Sequence, residues 1–264
     1  MAADTSAPER ALRVARATQR FGTIVVVGGG CYGSYYVRQL HRAEQAGALA
    51  WTSLIVVDRD PRCRVAALNA SERPSALRLD VAEWDAFFDA YLSRAAADSA
   101  GSAHDAIVPS PLMPHLMADW LTARACARWP QRAVRTEPLA SPISVPWQRA
   151  AEDGTHYVSF AEWMCPINCV EPARCPHTKG ARSWSMPPAL VAYVATERAQ
   201  GRPVEGPYVF HCLHRAYGVG MIDVADVLAA DAAVAERGEQ GATAFLVATA
   251  SHCHGAVRRI VVGG

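Results

Sequence analysis

Three cysteines stand close together in the run Cys165-Pro166-Ile167-Asn168-Cys169-Val170-Glu171-Pro172-Ala173-Arg174-Cys175-Pro176-His177-Thr178, spaced C-x3-C-x5-C. Two of them are followed directly by proline. A loop stiffened in this way can converge its thiolates on one centre with less entropy lost than a flexible chain would lose. Thiolates so grouped suit an iron–sulfur cluster or zinc, and the plainer reading is a set of free thiols in a proline-rich loop. Two further groups follow, His211-Cys212-Leu213-His214 and Ser251-His252-Cys253-His254. Each ends an apolar run, Tyr208 to Phe210 and Ala244 to Thr249, where a strand delivers side chains to the carboxyl edge of a sheet. Residues two apart share a strand face, so Cys212 pairs with His214 and His252 with His254. Their imidazoles suit metal ligation or proton transfer near neutral pH, although a lone histidine is more often a hydrogen-bonded core residue.

The first expectation is a cluster of the 4Fe-4S type on Cys165, Cys169, Cys175 and Cys212. Zinc on Cys165, Cys169, Cys175 and His177 is the second. Four thiolates leave a cluster to transfer electrons, whereas three leave an iron open to substrate. The Cys-Pro pairing is similar to that of bacterial ferredoxin loops, but the spacing is not theirs, so only the chemical idea carries over. Of the other cysteines among the eight in the chain, Cys31 is read as structural and Cys63 and Cys126 as small apolar fillers.

These side chains need a scaffold, and its first piece is legible near the start of the chain. Thr23-Ile24-Val25-Val26-Val27 is a β-branched run that ends in Gly28-Gly29-Gly30-Cys31-Tyr32-Gly33 and passes into a helical stretch, Ser34 to Glu44. Gly28, Gly30 and Gly33 fit G-x-G-x-x-G: a tight turn, close approach of a pyrophosphate to the backbone, and close packing of helix on strand. The helix N-terminus offers free N–H groups and a positive dipole end to phosphates. A second strand, Ser53 to Val57, ends in Asp58, whose carboxylate would accept hydrogen bonds from the adenosine ribose. It would repel a 2′-phosphate, so NAD is expected over NADP, although the neighbouring Arg59 weakens the choice. S-adenosylmethionine, which uses a similar loop and strand-end acid, is the alternative ligand.

Over roughly its first half the chain resembles the NAD(P)-binding Rossmann family. The resemblance implies a mostly parallel sheet and a crevice flanked by the ends of the first and fourth strands. The fourth strand, Asp105 to Val108, runs into Pro109-Ser110-Pro111-Leu112-Met113-Pro114-His115, which makes Ser110 and His115 pocket residues. For His115 a surface position at the start of a helix is an equal reading. Val81, Trp84, Phe87, Phe88, Tyr91 and Leu92 recur at helical spacing and read as a face packed on the sheet. Arg132 to Glu137 reads as a fifth strand. Eight of the 17 prolines then fall between Pro138 and Pro188, arguing against regular elements and for an ordered insertion or lid. A helix from about Pro188 to Arg198, a strand Tyr208 to Leu213, a helix Ile222 to Glu236 and strands Ala244 to Thr249 and Val257 to Val262 complete the chain. The expected plan is α/β and Rossmann-like. A dinucleotide-binding domain spans 1–138, a proline- and cysteine-rich insertion 139–187, and a smaller α/β part, which could extend the same sheet, 188–264.

Composition narrows the function. Of 264 residues 51% are hydrophobic and 19% charged, with a formal net charge of +1, so neither a disordered tail nor a basic nucleic-acid surface is expected. No apolar run approaches the roughly 18 to 20 residues of a membrane helix, and Met1 to Arg20 has no secretory apolar block. Cytoplasm is the expectation. Lys179 is the only lysine and lies outside any Gly-Lys-Ser/Thr run, which excludes a P-loop. The expected function is an oxidoreductase coupling a nicotinamide dinucleotide to an iron–sulfur centre, with His115, His211, His214, His252 and His254 as catalytic candidates. The alternatives are a lyase-type enzyme using an open iron, an S-adenosylmethionine-binding enzyme, and a non-enzymatic dinucleotide, redox or zinc sensor. Expected partners are a small-molecule substrate and a redox partner protein; a homo-oligomer stays open.

Overall fold

An apolar run such as Ile24-Val25-Val26-Val27 has no polar face and needs cover on both sides, and the computed structural model puts it in the middle of a sheet. The structure describes residues 17–161 and 165–264; the first part of the Met1 to Arg20 segment lies outside them. β1 (Gln19–Val27), β2 (Leu49–Asp58), β3 (Leu77–Val81) and β4 (Ala106–Val108) pair in parallel in the order β3-β2-β1-β4, with α1 (Cys31–Gln45), α2 (Trp84–Ala97) and α3 (Leu116–Arg128) between or after them. This is the Rossmann-like half that the glycine run implied.

The rest of the chain is β5 (Val134–Glu137), β6 (Trp147–Ala150), β7 (His156–Ser159), α4 (Met186–Ala199), β8 (Glu205–His211), β9 (Leu213–Ala216), β10 (Val219–Asp223), α5 (Val224–Glu239), β11 (Thr243–Ala250) and β12 (His254–Val262). These strands divide between two sheets. β10 pairs antiparallel with β4, and β9 with β10, so part of the C-terminal segment does extend the first sheet. The remainder builds a second sheet, β6-β7-β12-β11-β8, in which only β8 and β11 are parallel. β5 is a strand as expected, but it pairs antiparallel with β12 in that second sheet. The proline-rich span is also more regular than its composition suggests: β6 and β7 lie within it, and the prolines flank them.

Burial follows alternation along the strands. Val25, Val27, Ile55 and Val57 face α2, α3 and α5, whose other sides meet Phe210, Phe245 and Val247 of the second sheet. Ile24, Val26, Leu54 and Val56 face α1 and the segment Cys63 to Leu68. Leu246, Ala248 and Val257 face α4 through Met186, Leu190 and Val194. Layers of helix, sheet, helices, sheet and helix result, each fully buried Val, Leu or Ile contributing about 1.5–3 kcal/mol. The expected face of α2 is confirmed for Phe87, Phe88, Tyr91 and Leu92, while Val81 is 51% exposed. Among the described residues no helix is long and apolar enough to cross a membrane.

The crossover between the sheets positions the site. β8 runs parallel to β11 and ends at His211; Cys212 donates its N–H to the Ala250 carbonyl at 2.8 Å, and Leu213 already pairs with Met221 of the first sheet. Cys212 therefore sits where the chain leaves one sheet for the other.

Candidate functional site

The glycine turn is built by its own backbone. Gly28 has φ +83° and donates to the Val57 carbonyl at 2.8 Å, a conformation glycine adopts without strain. A Cβ on Gly33 would stand 1.7 Å from the Gly28 carbonyl oxygen, so the third glycine is what lets α1 sit on the turn. A Cβ on Gly30 would meet nothing within 4 Å: the space above the second glycine is open. No acidic residue lies in the first turn of α1. Asp58 accepts the N–H of Gly29 at 2.6 Å and that of Asp60 at 2.8 Å, so it holds the turn in shape. Cys63, buried as expected, packs under Gly29. Cys31 is exposed, and Cys126 is exposed too, not the apolar filler anticipated.

Beside this turn lies a cavity of about 230 Å³. Tyr32 and Tyr36 of α1 and Pro109, Ser110 and Pro111 after β4 form one wall. Cys165, Cys169, Cys212, His214, Cys253 and His254 line it from the other elements. Five segments far apart in sequence thus meet at the carboxyl ends of β1, β4, β8 and β11. Cys212 and His214 share a face, as their spacing predicts: a Cβ on Gly220 would lie 2.5 Å from the Cys212 Sγ and 3.1 Å from the His214 ring.

Glu171 ties the cysteine loop to the β11–β12 corner. It adopts φ +50°, unusual for glutamate, and accepts the N–H of Cys253 at 3.0 Å and of His252 at 3.3 Å. Burial opposes its ionisation, but the Ser251 hydroxyl, the charge of His214 and those two N–H groups outweigh it and hold the carboxyl below its ordinary range. Burial, with the same anion added, pushes the Cys212 thiol up to about 12. Burial, together with Glu171, likewise raises Cys253 to about 12, although the Trp184 indole N–H, 3.3 Å from its Sγ, works the other way. Burial, then the neighbouring Cys169 and Cys175, raises Cys165 to about 11.

The histidines divide. His254 brings Nε2 to 3.2 Å from the Cys165 Sγ. His214 lines the cavity. His252 points elsewhere, with Nδ1 2.9 Å from the Ser185 hydroxyl and its ring edge-on to His211 at 5.0 Å. Burial, then His252, lowers the His211 pKa. His115 does not line the cavity; it starts α3 with Nε2 3.6 Å from Asp119. Ser110 does line it, its hydroxyl accepting the Leu112 N–H at 3.3 Å. Cys175 is buried just behind, in a turn where the Thr178 N–H lies 3.5 Å from its Sγ. That N–H, against burial, lowers the Cys175 pKa, and Lys179 adds its charge. Buried side-chain atoms without a partner include His214 Nδ1, Thr249 Oγ1 and His254 Nδ1, all on residues of the cavity wall. Among the described residues no three His, Cys, Asp or Glu side chains are already drawn around one point as a metal ion requires.

Glu171, Thr249 and Tyr36 were not singled out from the sequence. Glu171 carried a faint signal, an acid inside a thiol loop. The other two carried none, since a strand threonine and a helix tyrosine look like ordinary packing.

The fold and this cavity define an α/β protein with a glycine turn on one sheet and a thiol- and imidazole-lined pocket between two. Residues 117–263, from α3 to the end of β12, match the model of the AF_1314_C family, described as an uncharacterized protein's C-terminal domain, and the chain belongs to that family. The matched span carries the cysteine loop and both His/Cys groups, and the glycine turn lies before it. No curated protein and no solved structure matches the chain.

Proposed function

We propose that the protein is an oxidoreductase coupling a nicotinamide dinucleotide to an iron–sulfur centre held by the 165–175 loop. One observation carries this reading: a single cavity is bounded by Tyr32 and the Pro109-Ser110-Pro111 turn on one side and by thiols and imidazoles on the other. In Rossmann-like sheets the ends of the first and fourth strands flank the crevice where the reactive ring lies. A dinucleotide seated on the glycine turn would bring that ring to this cavity.

The chain's own groups suit the task. Open space over Gly30 and the unpaired N–H groups of the first turn of α1 accommodate a pyrophosphate. Asp58 keeps lone pairs for ribose hydroxyls while it holds Gly29, and its charge disfavours a 2′-phosphate. Pro109, Pro111, Pro114 and Pro166 line the cavity with apolar, rigid surface that limits water. His214 and Thr249 line the wall, each with a buried polar atom, Nδ1 and Oγ1, that has no hydrogen-bond partner, and the His214 imidazole is of the type suited to proton transfer. For the metal centre the loop supplies three thiols, one of them hydrogen-bonded to an imidazole, which a bound centre would have to gather, since among the described residues they do not converge on one point. When bound, the dinucleotide would supply a hydride and the cluster a one-electron acceptor.

The test is made on protein purified without air. Visible absorption with iron, sulfide and zinc analysis should give iron and sulfide in near-equal amounts, and added NADH should bleach the absorption. A preparation without iron and sulfide, or one that NADH leaves unbleached, overturns the reading.

A further inference from the structure

We propose that Cys165 and Cys169 are a redox-active pair, joined as a disulfide when a small external disulfide oxidises them. The pair goes beyond the proposed function and needs no metal. The chain folds the two together: Cys169 donates its N–H to the Pro166 carbonyl at 2.8 Å and closes a four-residue turn about Ile167 and Asn168. A turn of this kind brings its ends within about 7 Å. Across it the two thiols are within hydrogen-bonding reach of each other. Both line the cavity and both are half-buried, so a small molecule in the cavity meets them.

The other thiols near the cavity keep different company. Cys175 is buried in a turn of its own, closed by its N–H on the Gly180 carbonyl at 2.9 Å and by the Lys179 N–H on its carbonyl at 3.0 Å. The Thr178 N–H lies 3.5 Å from its sulfur. Cys253 is buried, with the Trp184 indole N–H 3.3 Å from its Sγ. Cys212 stands over Gly220 beside His214. The hydrogen bond between the Cys165 Sγ and His254 Nε2, at 3.2 Å, holds the first sulfur of the pair at the cavity wall. Two thiols together and the loop's third apart is the arrangement a dithiol needs.

The step is a thiol–disulfide exchange, and it balances. One cysteine sulfur attacks a sulfur of the external disulfide, whose S–S bond breaks and releases a first small thiol. The other cysteine then attacks the mixed disulfide at the protein's own sulfur, and the second small thiol leaves. The pair gives up two electrons and two protons, and the two leaving thiols carry them away. A reducing dithiol reverses the exchange. The bond takes two of the loop's three thiols from any metal, so the oxidised loop is closed to the centre proposed above.

The test uses the full chain, stripped of metal by a chelator with a reductant, desalted without air and exposed to glutathione disulfide. Free thiols are counted after unfolding, and the peptides are mapped by mass spectrometry. The native chain and Cys212→Ser should each lose two thiols per chain, with Cys165 and Cys169 joined and no glutathione retained on either. Cys169→Ser should form no internal bond and should instead keep glutathione on Cys165. A full thiol count after oxidation overturns the pair, as does a bond from either cysteine to Cys175 or Cys212, or glutathione retained on both in the native chain. Cys212→Ser and the native chain keep the test decisive should Cys169→Ser fail to fold. Metal analysis before stripping reads the proposed function by itself, so the pair and the centre stand or fall separately.

Discussion

The Glu171 carboxylate accepts the backbone N–H of Cys253 from 82 residues along the chain, at 3.0 Å, and this contact fastens the cysteine loop to the corner that presents His252, Cys253 and His254. Glu171→Gln keeps the size and one acceptor oxygen but loses the charge. A charge-assisted hydrogen bond contributes about 1.5–3 kcal/mol, and part of that should be lost. The expected outcome is local: amide hydrogen exchange at residues 252 and 253 accelerates at least severalfold, while the buried amides of Phe245 to Ala248 are unchanged. Equal acceleration in both places would mean that Glu171 supports the whole sheet and not the loop.

Gly30 and Gly33 separate binding from folding. A Cβ at Gly33 would collide with the Gly28 carbonyl, and a Cβ at Gly30 would meet only open space. Gly33→Ala should therefore lower the melting temperature, by roughly 2–4 °C for each kcal/mol lost, as well as abolish dinucleotide binding. Gly30→Leu should leave the melting temperature within about a degree of the native chain's, since surface substitutions away from such contacts change stability little. It should nevertheless weaken NADH binding at least tenfold by calorimetry. Undiminished binding in Gly30→Leu would remove the phosphate-cradle assignment.

These two glycines were legible because their signal is local. Strand, turn and helix follow one another within the Thr23 to Glu44 stretch, and each glycine answers to neighbours a few residues away. The pairing of β10 with β4 was not legible. Val219 to Asp223 reads as apolar, but its partner lies more than a hundred residues earlier, and only the packed sheet reveals it. β6 and β7 were hidden for a different reason: Pro138, Pro142 and Pro146 stiffen the approach to the hairpin without entering its ladder. The site divides along the same line. Spacing alone found Cys165, Cys169, Cys212 and His214. That His254 meets Cys165 while His252 turns to Ser185 depends on how the β11–β12 corner turns, and alternation along a strand says nothing about a corner.

Glu197 provides a pH signature. It is 3% exposed and accepts hydrogen bonds from Arg202 at 2.7 and 2.8 Å and from Ser141 at 2.6 Å. The Arg202 hydrogen bonds, against burial, hold its carboxyl near 2, below the ordinary 4.5. A depressed folded-state value stabilises the protein fully above the unfolded value, and the contribution disappears as pH falls through the folded one. Glu197→Gln should thus be about 2 kcal/mol less stable than the native chain at pH 7 by urea unfolding. The gap should narrow steadily between pH 4.5 and about 2. A gap that does not change over that range would show that the contribution is packing and not charge.

Arg258 anchors the strand that begins with His254. It is 6% exposed, donates to Thr155 Oγ1 at 2.8 Å and to Asp153 at 2.7 Å, and also pairs with Asp119 of α3. Its two acids are 43% exposed and can return to water when the guanidinium is removed, whereas the guanidinium cannot when the acids are removed. An unpaired buried charge costs about 3–5 kcal/mol. The double change Asp119→Ala with Asp153→Ala should therefore destabilise the protein by more than Arg258→Met does, for which about 2 kcal/mol is expected from the lost hydrogen bonds. Denaturant midpoints of the two variants decide the order. The reverse order would mean that Arg258 finds water once its partners are gone, and that β12 is held at this point by its strand ladders and not by the charge pairs.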